Sequence, residues 1–176
     1  MEDSMSLANR FTPYAASKLK QSFAQIQRCL DLLTSDQVWS RPNDVSNAVG
    51  NLVLHLNGNI RQWILSALAG ESYERDRPAE FSQRKPSPTD AILADLQETV
   101  ERAREVLSAL NEQQLAAELT IQGYNVTGME AVFHAVEHFS LHTGQIVYAT
   151  KILTGKDLSL YDAHGQRLDG RDQGAL

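Results

Sequence analysis

Three histidines recur at four-residue intervals, His134, His138 and His142, in a segment that otherwise has the pattern of one long amphipathic helix. Residues four apart on a helix lie on one face, with their Cβ atoms about 5–6 Å apart. Two imidazoles at that spacing can therefore reach one metal ion at about 2.0–2.1 Å. A further histidine, His55, lies far upstream in a second helical segment. The spacing is typical of metal ligands.

The three imidazoles fall within the apolar sector of their helix, beside small alanines. A single histidine on such a face is more often a hydrogen-bonded core residue than a ligand. A stack of three is harder to accommodate, because each neutral ring must find both a donor and an acceptor in a poorly solvated interior. A metal ion takes up the lone pairs and leaves one N–H per ring for a neighbouring group. We therefore expect a metal site.

Two ligand sets are compatible with these residues. In the first, His138 and His142 join His55 from the other helix, which leaves positions open for water or substrate. In the second, His134-Ala-Val-Glu137-His138 matches the H-x-x-E-H pattern of inverzincin metallopeptidases, with Glu137 as general base. The chain after His138 has no glutamate to serve as the distant ligand of those peptidases. The first set is therefore favoured.

Composition limits the classes of protein to which the chain can belong. Its 176 residues, 42% of them hydrophobic, predict one domain over 1–176, with a core at about 10–155 and a loosely held tail at 156–176. A formal charge of −6 argues against the basic face that binds nucleic acid. No segment approaches the roughly 20 apolar residues of a membrane span, and the polar N-terminus does not resemble a secretory signal. We expect a soluble cytoplasmic protein, and its single cysteine, Cys29, excludes a Cys-rich metal site.

Apolar periodicity predicts four long helices and no convincing strand, the pattern of an all-α four-helix bundle. The predicted helices cover 13–34, 47–69, a range from Ser87-Pro88-Thr89-Asp90 to near Asn111, and 128–154, with a short helical piece at 112–118. Thr12-Pro13 and Thr127 are start signals, and Gly70 and Gly155 are stop signals. The segment 119–127 could pair briefly, but no sheet is predicted there.

One edge of the second predicted helix carries a narrow row of polar residues: Asn51, His55, Asn59, Gln62 and Ser66. A helix with a purely structural role has little reason to place such groups beside its apolar face. The row therefore indicates that this edge of the helix takes part in function.

The segment 71–88 has three prolines and eight charges and no periodicity, so it is predicted to be a long surface loop between the second and third helices. Loops of this length are lids, binding loops or disordered linkers, and the sequence favours none of the three. A lid could bring four basic side chains to an anionic substrate: Arg75, Arg77, Arg84 and Lys85.

The two histidine segments resemble motifs of the DinB-like superfamily, which is unrelated to the polymerase of the same name. The resemblance rests on Gly50-Asn-Leu-Val-Leu-His55-Leu-Asn-Gly-Asn-Ile-Arg-Gln-Trp63 and on His138-Phe-Ser-Leu-His142-Thr-Gly-Gln145, and it covers most of residues 10–155. The chain looks closest to a bacterial branch carried as a domain of unknown function. Many members have Arg where this chain has Thr143, a position that is not a ligand.

The resemblance implies a DinB-like four-helix fold in which a divalent metal, zinc or nickel, is held by His55, His138 and His142. It makes His134 a neighbouring pocket residue, and it gives Gln145 and Asn59 the role of orienting rings or a bound water. Some relatives look like transferases or isomerases that use a low-molecular-weight thiol, and others are labelled metal-dependent hydrolases. Members are commonly dimeric.

We therefore expect a metal-dependent enzyme, a thiol S-transferase or a hydrolase, that acts on a small molecule and forms a homodimer. The alternative is a metal-stabilised sensor or dimerisation module that uses the same histidines without a substrate, and an H-x-x-E-H metallopeptidase is the third interpretation. Solvent access separates the first two, because a structural zinc site is usually closed by four protein ligands whereas a catalytic one keeps a position free.

Overall fold

The computed structural model describes residues 6–166 and 168, and most of these residues are helical. In chain order the elements are α1, Leu7–Leu30; α2, Ser35–Trp39; α3, Val49–Ile60; α4, Arg77–Ser82; α5, Thr89–Ala109; α6, Glu112–Ala116; β1, Glu118–Ile121; β2, Tyr124–Thr127; and α7, Gly128–Thr154. The helix α3 runs on without a break through a π-helical stretch, Arg61–Ser66, and a last α-helical turn, Ala67–Ala69.

The long helices α1, α3, α5 and α7 share one core. Helix α1 packs against α5 and α7, and α3 packs against the same two helices. The apolar stripes read from the sequence supply the fully buried side chains, among them Leu19, Ile26, Leu56, Leu96, Leu107, Phe139 and Ile146. The predicted helical class is therefore confirmed, and the four long helices correspond to those expected from periodicity.

Helix α1 begins earlier than predicted and ends earlier. Ser6 caps it by accepting a hydrogen bond from the backbone N–H of Asn9, and Pro13 lies inside the helix rather than at its start. Proline disfavours a helix interior because it lacks an N–H and crowds the carbonyl four residues earlier. Burial of Ala8 and packing of Phe11 against the core offset that cost in the turns before the proline.

The segment 119–127 forms most of a two-stranded antiparallel hairpin, so the expectation of no sheet was wrong. Glu118 pairs with Thr127 and Ile121 with Tyr124, across a turn made by Gln122 at φ 54° and Gly123 at φ 83°. Two-residue turns with positive φ match the twist of the flanking strands. Strands of four residues are too short to produce a clear alternating pattern.

The segment 71–88 contains a helix, α4, which the prediction of a structureless loop missed. Asp76 caps α4 by accepting a hydrogen bond from the backbone N–H of Ala79, and Pro78 lies in its first turn. An acceptor followed by proline is a recognised helix start. Helix α4 packs against α3, so this segment is part of the folded structure.

Leu158 and Leu160 of the C-terminal segment are buried in the core, as predicted, whereas Tyr161 is half exposed. The other expectations for the tail and for the first residues concern 167, 169–176 and 1–5, which lie outside the described residues. Within residues 6–166 and 168, no helix combines the length and the hydrophobicity needed to cross a membrane.

Gly128, the first residue of α7, lies against the backbone of α6. A Cβ at this position would overlap the carbonyl oxygen of Gln114. We expect Gly128→Ala to lower the free energy of unfolding by about 1–3 kcal/mol, measured by urea denaturation, because a backbone cannot move aside as a flexible side chain can. The control Gly144→Ala has open space around its Cβ and should raise stability by roughly 0.5–1 kcal/mol. Equal changes in the two variants would contradict this explanation.

Candidate metal centre

Three of the four predicted histidines converge between α3 and α7. The imidazole nitrogens of His55, His138 and His142 that could bind an ion all lie within 4.8 Å of one another. His55 Nε2 is 2.8 Å from His138 Nε2, and the His142 ring centroid is 5.0 Å from that of His55 and 4.5 Å from that of His138. The structure thus brings together, from two helices, the residues of the first predicted ligand set.

The long helix α7 holds its two histidines at the edge of the buried face. A capping box between Thr127 and Glu130 fixes the start of the helix, and Gly155 ends it in the left-handed conformation. His138 and His142 are half-buried, whereas His55 on α3 is only 3% exposed. The prediction was that the rings of α7 point inward, but they are only partly buried. One side of the cluster is therefore accessible from solvent.

Glu80 of α4 determines which nitrogen of His55 faces the cluster. The Nδ1 atom of His55 lies 2.8 Å from Glu80 Oε2. An ionised carboxylate only accepts hydrogen bonds, so Nδ1 carries the hydrogen and donates it. The lone pair of His55 is therefore on Nε2, which faces His138. A carboxylate that accepts from the outer nitrogen of a histidine is the usual partner of a metal ligand, because it fixes the ring and makes it more basic.

Arg75 keeps the Glu80 carboxylate ionised in a buried position. Its Nε and Nη2 atoms lie 2.7 Å and 2.9 Å from the two carboxylate oxygens. Burial by itself raises the pKa of Glu80, but the hydrogen bonds from His55 and Arg75 outweigh it and leave the pKa below the ordinary value. Gly58 of α3 makes room for this arrangement, because a Cβ there would overlap Glu80 Oε1. At neutral pH the Glu80 carboxylate is therefore ionised and accepts the hydrogen bond of His55.

Gln145 has the same relation to His142 that Glu80 has to His55. Its Oε1 lies 2.7 Å from His142 Nδ1, so this nitrogen donates and Nε2 carries the lone pair. His138 between them is neutral at pH 7, because burial, followed by the nearby His142 and His55, lowers its pKa to about 3. Each of the three rings can therefore present a lone pair to a shared cation.

His134 lies outside the cluster. Its ring lies against Trp63 at a tilt of 34°, with 3.9 Å between centroids, and is nearly parallel to the His138 ring at 5.4 Å. Glu137, which the H-x-x-E-H interpretation needs as general base, is exposed. His134 is therefore a neighbour of the cluster, which is the position that the resemblance to the DinB-like superfamily implies.

The polar row of α3 anchors the segment 71–88 above the site. Asn51 Nδ2 donates to the Glu80 carbonyl at 2.9 Å, and Gln62 Oε1 accepts from Arg75 Nη1 at 2.9 Å. The charge of Arg75 is balanced by Glu80 in a buried ion pair, so Arg75 is not directed to a substrate. Asn59, predicted to orient a ring or a water, is buried, and among the described residues its Oδ1 has no hydrogen-bond partner.

Sequence reasoning missed Glu80 as a functional residue. The start signal of Asp76 and Pro78 could have revealed α4. Nothing in the residue pattern, however, indicates that Glu80 of this helix meets His55, because the pairing depends on how α4 packs on α3.

Comparison with known proteins places the chain in a family. Residues 6–163 match the family model described as "Protein of unknown function (DUF1572)". The chain belongs to the DUF1572 family. No curated protein matches it.

Two solved structures share the fold of this DUF1572 protein. One is a conserved protein from Enterococcus faecalis, with 17% identity and a TM-score of 0.70 over 82% of this chain and 98% of that chain. The other is the DinB-like protein YjoA from Bacillus subtilis, with 18% identity and a TM-score of 0.64 over 88% of this chain and 99% of that chain. The two likenesses confirm the DinB-like fold that the resemblance implies, and the family match agrees with the expected domain of unknown function.

The role of Glu80 can be tested with a substitution that keeps its shape. We expect Glu80→Gln to weaken zinc affinity of the DUF1572 protein about 10–100-fold, because a neutral amide is a poorer acceptor for His55 Nδ1–H. Competition with a chromophoric chelator measures the change. The matched control, Glu137→Gln, removes an exposed carboxylate of α7 and should leave the affinity unchanged. An equal fall in both variants would show a general effect of charge instead.

Proposed function

We propose that this DUF1572 protein is a metal-dependent enzyme in which His55, His138 and His142 hold a divalent ion, zinc or nickel. The observation that supports the proposal most is the convergence of three imidazoles with the outer nitrogens of two rings already bound to oxygen acceptors. A neutral histidine whose second ring nitrogen donates a hydrogen bond to an oxygen is the common form of a metal ligand.

The number and exposure of the histidines favour an enzyme over a closed structural site. Structural zinc sites are usually closed by four protein ligands, whereas catalytic sites use three and leave a position for water or substrate. Among the described residues the cluster has three members, and two of them are half-buried. These features support the open site more than the sensor or dimerisation module.

The reaction we propose is thiol transfer or hydrolysis of a small molecule, with a low-molecular-weight thiol as co-substrate in the first case. A bound ion would lower the pKa of a water or thiol at the open position and so supply a nucleophile near neutral pH. The protein's part is to fix the donors. Glu80 and Gln145 orient the outer two rings, and the Phe81 ring, 4.6 Å from that of His55, shields this ligand from water.

Metal analysis followed by cobalt substitution tests the proposal. The purified protein should hold about one divalent ion per chain, and the cobalt protein should change its visible spectrum on addition of azide or a small thiol, because one position is open. A panel of thiols with model electrophiles then tests for transfer. A tetrahedral cobalt spectrum that does not respond to azide or thiol would contradict the enzyme and favour the structural module.

A further inference from the structure

A groove lies along the second half of α7. It has a volume of about 660 Å³ and lies between the connection from α2 to α3 and the second half of α7. Gln145 lines the groove, and the same side chain lies 2.7 Å from His142 Nδ1. The groove therefore begins beside one of the proposed ligands.

The groove presents apolar surface from both of its sides. Val49 and Leu52 contribute from α3, and Tyr148 and Ile152 contribute from α7. Tyr148 and Ile152 are 68% and 66% exposed, so they are available to a bound molecule. Burying such surface against an apolar ligand is favourable, and ligand sites commonly combine apolar walls with a few polar groups.

Arg41 supplies a positive charge to the same groove. Its guanidinium donates hydrogen bonds to three neutral oxygens: the carbonyls of Ser46 and Phe81 and the Oδ1 atom of Asn51. Within residues 6–166 and 168, no carboxylate forms an ion pair with Arg41. Arg84 donates a hydrogen bond to the same Phe81 carbonyl as Arg41. Two guanidinium groups therefore lie together here, and among the described residues neither forms an ion pair with a carboxylate.

A second cavity beside the cluster has the opposite charge. It has a volume of about 370 Å³, and its lining includes Phe133 and His134 together with Glu130 and Glu137. These carboxylates repel an anion, whereas Arg41 attracts one. Of the two cavities, the groove at Arg41 is therefore the one suited to an anionic ligand.

We propose that this groove binds a small molecule with an apolar body and an anionic end, with the anion on Arg41 and the other end beside Gln145 and His142. The inference rests on the proposed function, because it takes the groove to be the substrate site of that enzyme. It adds the chemical class of the substrate.

Binding of octanoate and octanol to metal-free protein tests this inference. Removal of metal prevents the carboxylate from binding an ion, so any preference for octanoate comes from the protein. Calorimetry should show octanoate bound roughly tenfold more tightly than octanol, because a hydrogen bond between charged groups is stronger than one to a neutral hydroxyl. Arg41→Gln should remove this preference. If Arg41 had a purely structural role, Arg41→Gln would instead weaken the binding of both ligands equally and leave the ratio of their affinities unchanged. That result would overturn the assignment.

Two substitutions on α7 locate the binding site. Ile152 and Leu141 are both exposed, at 66% and 55%, but only Ile152 lines the groove. Ile152→Glu should weaken octanoate binding about tenfold or more, because a charge replaces the apolar contact, whereas Leu141→Glu should leave it unchanged. Equal octanoate and octanol affinities in the unmodified protein, or equal effects of the two variants, would overturn the inference.

Metal uptake by the same preparations separates this inference from the proposed function. Octanoate binding with the expected preference, in protein that takes up no zinc, would support the groove and overturn the metal-dependent enzyme. Zinc uptake without any octanoate binding would overturn the groove and leave the metal site supported.

Discussion

His142→Ala is expected to abolish stoichiometric metal binding, whereas His134→Ala is expected to retain it. The two histidines flank His138 on α7 at equal spacing, so they form a matched pair in residue type and position along the helix. Of the two, only His142 lies within the nitrogen cluster, whereas the His134 ring packs against Trp63. Loss of a ligand should weaken zinc affinity by more than the roughly 100-fold that marks the loss of a group orienting a ligand. Elemental analysis after dialysis measures the outcome.

His55→Ala should behave like His142→Ala, because the site needs a ligand from each of two helices. Circular dichroism of each variant shows whether the helices remain. Retention of metal in His142→Ala together with its loss in His134→Ala would replace the three-histidine set by the H-x-x-E-H pair.

Glu80→Ala is expected to lower the free energy of unfolding of the metal-free protein by about 3–5 kcal/mol, because it leaves a buried charge without its partner. That charge is Arg75, whose side chain is 5% exposed beside Glu80. The control is Glu105→Ala, which removes an ion pair with Arg102 in which both side chains are at least half exposed. Exposed pairs contribute about 0–1 kcal/mol, so guanidinium denaturation should distinguish the two variants clearly.

Two further variants separate the stabilising role of Glu80 from its action on His55. Gly58→Ala retains both charges but displaces the carboxylate, so it should weaken both stability and zinc affinity. The double variant Arg75→Met with Glu80→Leu buries no charge and should recover much of the stability, while zinc affinity stays low. A Glu80→Ala variant as stable as Glu105→Ala would show that the buried pair does not form in solution.

The parts of the fold that are governed by periodicity and end signals could be predicted from the sequence. Helix α7 follows its predicted bounds because Thr127 and Gly155 provide both ends. The start of α1 could not be predicted, since packing of Phe11 outweighs the local effect of Pro13. Four-residue strands contain too few side chains for their alternation to be recognised.

The candidate site likewise has residues that the sequence indicates and a residue that it does not. The repeat of His138 and His142 is local, so spacing indicated it, and His55 was connected to them by its place in the polar row and by the family resemblance. The contact of Glu80 with His55 joins a segment without periodicity to a helix, and no local pattern encodes it. The identity of the metal, the homodimer and the cytoplasmic location stay predictions.

The π-helical stretch Arg61–Ser66 changes how residues of α3 must be counted. A π turn closes its hydrogen bonds over one more residue than an α turn does, so rotation by 100° per residue does not hold between Arg61 and Ser66. Trp63, which covers His134, lies within this widened turn. A helical projection that treats α3 as a uniform helix would therefore give the wrong direction for Trp63 relative to His55, and insertions or deletions among relatives are expected to fall at 61–66.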